Sequence, residues 1–136
     1  MGLILDTSEF IFAERSSLSV RDLLARFDES DPVGISVITL AELQHGVGRA
    51  ANSEQRTKRK QFITDVISSV SVIEVNVEIA LRAGDLDSEL QMRGEGLPLD
   101  DLIIAATALV LNAVLVTDNT RHFSRVSGLQ LGQPRR

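Results

Sequence analysis

The carboxylates of this chain stand out for where they fall. Asp6 closes a short apolar run, Leu3-Ile4-Leu5, and Glu42 follows the apolar run Val33 to Ile38 by about one helical turn. Asp100 and Asp101 open a stretch, Leu102 to Leu111, that carries no charge, and Asp118 closes Ala113-Val114-Leu115-Val116-Thr117. In a parallel sheet covered by helices, ligands bind just past the carboxyl ends of the strands, and all of these acids fall at that edge. Carboxylates brought together repel one another, and a hard divalent cation among them offsets the repulsion. An all-oxygen donor set suits Mg²⁺ or Mn²⁺, held by one or two carboxylates and otherwise by water. A cation held in this way lowers the pKa of a bound water and steadies the charge that builds on a phosphodiester under attack. The residue types therefore point to metal-assisted hydrolysis.

Each acid taken singly also has a local explanation. Thr39-Leu40-Ala41-Glu42 has the spacing of a capping box, which alone would account for Glu42. Asp100 or Asp101 suits the N-cap of the apolar helix that follows, and acids in a first helical turn favour the helix dipole. Asp118-Asn119 is an ordinary turn pair. Asp6 has the weakest such account, because Thr7 and Ser8 can cap the next turn without it. Joint placement at one edge is what the local explanations leave out. Other chemistries have less support. His45 and His122 are the only histidines and neither sits in a motif, and the absence of cysteine excludes disulfides and zinc-thiolate sites. There is no Gly-rich phosphate loop and no serine-hydrolase elbow.

The elements that must position these acids alternate in type. Gly2 to Asp6, Val33 to Ile38, Val72 to Val75 and Ala113 to Asp118 read as short buried strands, with a last strand at Gly128 to Leu131. Between them the pattern predicts helices at Ser19 to about Glu29, from Thr39 onward, across Phe62 to Val70, at Glu78 to about Met92, from Asp100 to Leu111, and around Arg121 to Arg125. Ile79, Ala83, Leu86 and Leu90 are the expected buried face of the Glu78 helix. Strands apolar on both faces and alternating with helices argue for a parallel sheet covered on both sides.

The 136 residues suffice for one domain, and a net charge of −5 gives no general pull toward nucleic acid, so such a site must rest on bound cations or a local basic patch. Arg56-Thr57-Lys58-Arg59-Lys60 is one such patch, with a solvated helix face as the plainer reading. No apolar run reaches the roughly 18 residues of a membrane span. The start of the chain lacks the basic region and long apolar core of a signal peptide. The expectation is a soluble, cytoplasmic protein without a membrane partner.

Asp6-Thr7-Ser8, Thr39-Leu40-Ala41-Glu42-Leu43 with Gly46, Asp101-Leu102-Ile103-Ile104-Ala105-Ala106-Thr107-Ala108, and Leu115-Val116-Thr117-Asp118-Asn119 with Phe123 together resemble the PIN-domain family, and the small size and the Ile-Ala-Ala-Thr-Ala run resemble its VapC-type toxins. The resemblance spans nearly the whole chain. It implies a three-layer α/β/α fold with a central, mostly parallel sheet over residues 1–132, with 133–136 as a frayed tail. It implies a Mg²⁺- or Mn²⁺-dependent endoribonuclease, the toxin of a toxin–antitoxin pair, neutralised by a cognate antitoxin and commonly a homodimer. Asp6, Glu42 and Asp101 match the family's three main acids and would hold the metal; Asp100 would be the cap beside them. The fourth acid of many members lies where this chain has Asn119, with Asp118 one residue earlier, which leaves one-metal and two-metal chemistry both open. Thr7, Ser8 and Thr117 would orient ligands or waters, and Arg49, Arg56, Lys58, Arg59 and Lys60 would add contacts to RNA. A catalytically impaired binding module of the same fold is the alternative, supported by Asn119; a metal-dependent DNA nuclease or phosphatase is a third reading.

Overall fold

The computed structural model of the chain describes residues 2–133. Five strands, β1 (Leu3–Leu5), β2 (Val33–Ser36), β3 (Ser71–Ile73), β4 (Val114–Val116) and β5 (Leu131–Gly132), form one sheet in the order β3-β2-β1-β4-β5. Every pairing is parallel, with Leu3 opposite Val33 on one side and Val114 on the other. Parallel neighbours need long crossovers, and helices supply them: α1 (Thr7–Arg15) and α2 (Val20–Leu24) after β1, α3 (Val37–Gly48) and α4 (Ser53–Ser69) after β2, α5 (Val77–Met92) and α6 (Leu99–Val110) after β3, and the short α7 (Thr120–Phe123) after β4.

Side chains alternate across a strand, and β1 shows the result. Ile4 joins a core with Ile79, Leu86 and Leu90 of α5 and Leu102, Ala105 and Ala106 of α6. Leu5, its neighbour, joins the core on the opposite face with Phe10 and Ala13 of α1, Leu23 of α2, Leu43 of α3 and Val66 of α4. This is the expected three-layer α/β/α arrangement. The α5 face is the one the spacing predicts, with Ile79, Ala83, Leu86 and Leu90 all buried. The chargeless α6 buries Leu102, Ile104, Ala105, Ala106, Thr107 and Ala108. Among the described residues no helix is long and apolar enough to cross a membrane.

Several expected boundaries move. β2 stops at Ser36, whose hydroxyl caps α3 by accepting the N–H of Ile38 at 3.2 Å. Thr39 and Glu42 therefore lie inside the helix, and the capping box expected between them does not form. Ser19 does head a capping box, with Asp22, but α2 ends at Leu24, short of the expected Glu29. Neither Asp100 nor Asp101 caps α6: the N-cap is Pro98, without a side-chain hydrogen bond, and both acids sit in the first turn. β3 runs Ser71–Ile73 where Val72 to Val75 was expected, and β5 runs Leu131–Gly132 where Gly128 to Leu131 was. Most of the expected tail, residues 134–136, lies outside the described residues.

Candidate active site

The carboxyl ends of β1, β2 and β4 and the N-terminal turn of α6 meet at one edge. Asp6 follows the central strand, and its backbone N–H donates to the Val116 carbonyl at 2.9 Å, which fixes where the residue leaves the sheet. Its carboxylate caps α1, accepting the Thr7 N–H at Oδ1 (2.9 Å). Oδ2 accepts the Thr117 hydroxyl at 2.7 Å and the Ser8 hydroxyl at 3.1 Å. Three donors on the carboxylate of a residue only 6% exposed leave its orientation little freedom. Thr117 in turn accepts the Asn119 N–H at 2.9 Å, so the loop after β4 is tied to the end of β1.

Glu42 stands on α3, near Asp6. The Thr7 hydroxyl donates to Glu42 Oε1 at 2.6 Å and lies 3.0 Å from the Thr39 hydroxyl. A hydroxyl has one proton; with Thr7 spending its own on Glu42, Thr39 donates to Thr7. Burial pushes the Glu42 carboxyl up to about 7, the Thr7 hydrogen bond opposes that, and a hydrogen bond with Asp100 together with the charges of Asp100 and Asp6 adds to it. Asp101 is raised to about 6, by burial first and then by Asp100 and Asp6, with His122 acting in the other direction. Asp6 and Asp100 bear on both titrations, Thr7 on that of Glu42 and His122 on that of Asp101.

The structure places the remaining candidates unevenly. Asp118 is exposed and lies beyond the end of β4; its backbone N–H donates to the Ser8 hydroxyl at 3.2 Å. It is not among the groups that raise Glu42 or Asp101. Asn119 places its amide nitrogen 2.9 Å from His122 Nδ1. Arg59 is taken up within the fold, donating from Nε to Glu14 Oε1 at 2.7 Å and from Nη1 to the Gly46 carbonyl at 2.6 Å. Lys58 pairs with Glu54 at 3.4 Å on the exposed face of α4, where Arg56 and Lys60 are exposed as well, and Arg49 is the C-cap of α3. Sequence reasoning passed over Thr39 and His122. For His122 a signal existed, since it lies three residues after Asn119, one helical turn away; for Thr39 the mistaken capping role hid it.

The donors present suit a hard, hydrated cation. Among the described residues no three carboxylate or imidazole side chains already close into a cage. An ion such as Mg²⁺ needs none, because it keeps several waters and takes one or two carboxylates directly. The observation that speaks for it is the placement of Asp6 and Asp100 close enough to push both the Glu42 and the Asp101 carboxyls up. Carboxylates that crowd one another take up a proton, which a divalent ion can replace.

Residues 3–129 match the PIN domain family. Ribonuclease VapC2 of Rickettsia felis is 31% identical over 96% of this chain and 96% of its own length. Ribonuclease VapC1 of Haemophilus influenzae is 32% identical over 96% of each. Among solved structures, VapBC2 from Rickettsia felis bound to a DNA fragment from its promoter superposes with a TM-score of 0.83 at 29% identity, covering 99% of this chain and 100% of that one. VapBC from Salmonella typhimurium, also DNA-bound, gives 0.84 at 26% identity over 98% of each. With the fold, the order of the motifs and these relatives in agreement over nearly every residue, the chain belongs to the PIN-domain family.

Proposed function

We propose that this protein is a Mg²⁺- or Mn²⁺-dependent endoribonuclease acting as the toxin of a toxin–antitoxin pair in the cytoplasm, with a cognate antitoxin as its protein partner and a homodimer as its working form. The observation that carries the reading is the convergence of Asp6, Glu42, Asp100 and Asp101 on one sheet edge, with Glu42 and Asp101 both raised. The relatives named as ribonucleases, and the VapBC assemblies of similar fold, support the substrate and the partner.

Asp6, Glu42 and Asp101 are the residues that would hold the ion. When bound, it supplies a water of lowered pKa and positive charge beside the scissile phosphate. The chain's own contribution is orientation and proton control. Ser8, Thr117 and the Thr7 N–H fix Asp6 from three directions. Thr7 fixes Glu42 Oε1. The raised carboxyls give up their protons when the ion binds, so binding is favoured as pH rises through about 6 to about 7. Asn119, at the place of a fourth acid, is neutral and turned toward His122; this favours one-metal chemistry and is the single observation behind the second reading, a binding module with impaired catalysis.

Cleavage of purified total RNA separates them. The unaltered protein is expected to cut in Mg²⁺ or Mn²⁺ and not in EDTA, and Asp6→Ala or Asp101→Ala to abolish cutting while the protein still melts cooperatively. Absence of cutting and of metal binding by a well-folded protein would overturn the enzyme and leave the binding module.

A further inference from the structure

We infer that the cleft between α1 and α3 holds the backbone of single-stranded RNA, with Arg15 and Arg49 on phosphates that follow the one presented to the acid cluster on the side of the α1 and α3 C-termini. The inference rests on the nuclease reading and names the path its substrate takes.

The cleft has a volume of about 400 Å³, and Glu42 forms part of its wall, so it reaches the acid of the cluster that stands on α3. Its other charged walls are Glu14, Arg15, Arg49 and Arg59. Glu14 and Arg59 answer each other at 2.7 Å, and Arg59 spends a further N–H on the Gly46 carbonyl. That leaves Arg15 and Arg49, both exposed and neither paired with a carboxylate among the described residues. Two unneutralised guanidiniums beside a cluster of acids, in a chain of net charge −5, are a local reversal of sign. Guanidinium matches phosphate oxygens in a planar fork. The rest of the exposed lining is different in kind. Ile11, 40% exposed, and the exposed His45 ring line the same cleft, each one helical turn before an arginine, Ile11 before Arg15 and His45 before Arg49. An apolar side chain and a flat ring beside cations are what a splayed base packs on, while the cations track its backbone. A duplex keeps its bases stacked inside and offers nothing for that surface. An acidic protein segment would also meet the arginines, but it brings no phosphodiester to Glu42.

The test is binding of a fluorescein-labelled oligouridylate to the full-length protein, followed by anisotropy in Ca²⁺ over a salt series, for the unaltered chain, Arg15→Ala, Arg49→Ala, the double variant, and Arg82→Ala as an exposed cation on α5. Cleavage of total RNA in Mg²⁺ is measured in parallel. Each cleft substitution should weaken binding several-fold at low salt and flatten the plot of log K against log salt by about 0.7, the increment for one phosphate on a single strand. The double variant should lose both increments, Arg82→Ala neither, and RNA cleavage by the cleft variants should show raised KM with kcat largely kept. Unchanged affinity and slope in a double variant that melts normally overturns the inference while leaving a cutting enzyme intact. So does an equal loss in Arg82→Ala, which would mean diffuse charge, and so does no binding of the probe by the unaltered protein. Loss of antitoxin affinity with RNA binding untouched overturns it in favour of a protein occupant. Failure of the unaltered protein to cut any RNA removes the nuclease reading first, and the inference with it.

Discussion

Thr7 links the acids of the first strand to those of the third helix. Its N–H holds Asp6 and its hydroxyl holds Glu42, and the second of these bonds is what opposes the upward push of burial on the Glu42 carboxyl. Replacing Thr7 with Val keeps the shape and deletes the donor. Glu42 should then titrate above about 7, and the acidic limb of the pH–rate profile should move to higher pH, with activity at neutral pH down roughly 10- to 100-fold, the usual cost of losing a group that orients a metal-binding carboxylate. Thr7→Ser should restore most of it. Thr117→Val tests the other side of the network. It strips one donor from Asp6 and the acceptor from the Asn119 N–H at a fully buried position. A loss of roughly 1–3 kcal/mol in denaturant unfolding is expected, as for a buried polar group left unsatisfied.

At the scale of elements, α3 decides whether Glu42 reaches the site, and its start is set by Ser36. Ser36→Ala removes the cap bond to Ile38 and should cost about 1 kcal/mol of stability. Activity should fall by more than that loss of folded protein explains, because Thr39 and Glu42 ride on the first turns; comparing urea midpoints with kcat checks this. The same stretch shows what could be read beforehand. Val33 to Ile38 is apolar and rich in β-branched residues, which marks a buried strand well. Nothing in that run says where strand yields to helix, since Val37 and Ile38 suit either, and the serine inside it was the only cap available. The strands, the layer order and the α5 face were legible because burial on both sides leaves periodicity in the residues themselves. Asp6, Glu42, Asp100 and Asp101 were legible as a group because each follows or opens an apolar run, whereas Asp118, placed with them on the same ground, lies exposed beyond β4. What was hidden depends on contacts between distant segments: the bond from Thr7 to Glu42, the Glu42–Asp100 hydrogen bond, the approach of His122 to Asp101, and the Arg59 side chain claimed by Glu14.

At the scale of the whole molecule, the site opposes folding. Glu42 and Asp101 are each raised above their ordinary values, from 4.5 to about 7 and from 3.8 to about 6. A carboxyl raised on folding contributes stability below its unfolded pKa and loses that contribution as pH rises through its folded one. The metal-free protein should therefore lose stability relative to Glu42→Gln between about pH 4.5 and pH 7. Both groups are half exposed, so the difference in Tm should be a few degrees at most, solvent screening having reduced it. Added Mg²⁺ should reverse the order near pH 8, raising the Tm of the unaltered chain and leaving Glu42→Gln behind, and differential scanning calorimetry in EDTA and in Mg²⁺ reads both effects.

The strand β1 stands at the centre of the sheet, and one of its two neighbours, β4, is made only after β2, β3 and the helices α1 to α6 have been added. Asp6 is seated by the Val116 carbonyl and the Thr117 hydroxyl, groups that a ribosome adds more than a hundred residues later. A nascent chain that has grown only as far as α5 has β1 open along one side and Asp6 without that seat. If the protein cuts RNA, the growing chain lacks its seated acid until Thr117 has been made. A message broken upstream of the Thr117 codon would yield only products without that seat, so the order of translation acts as a safeguard written into strand order.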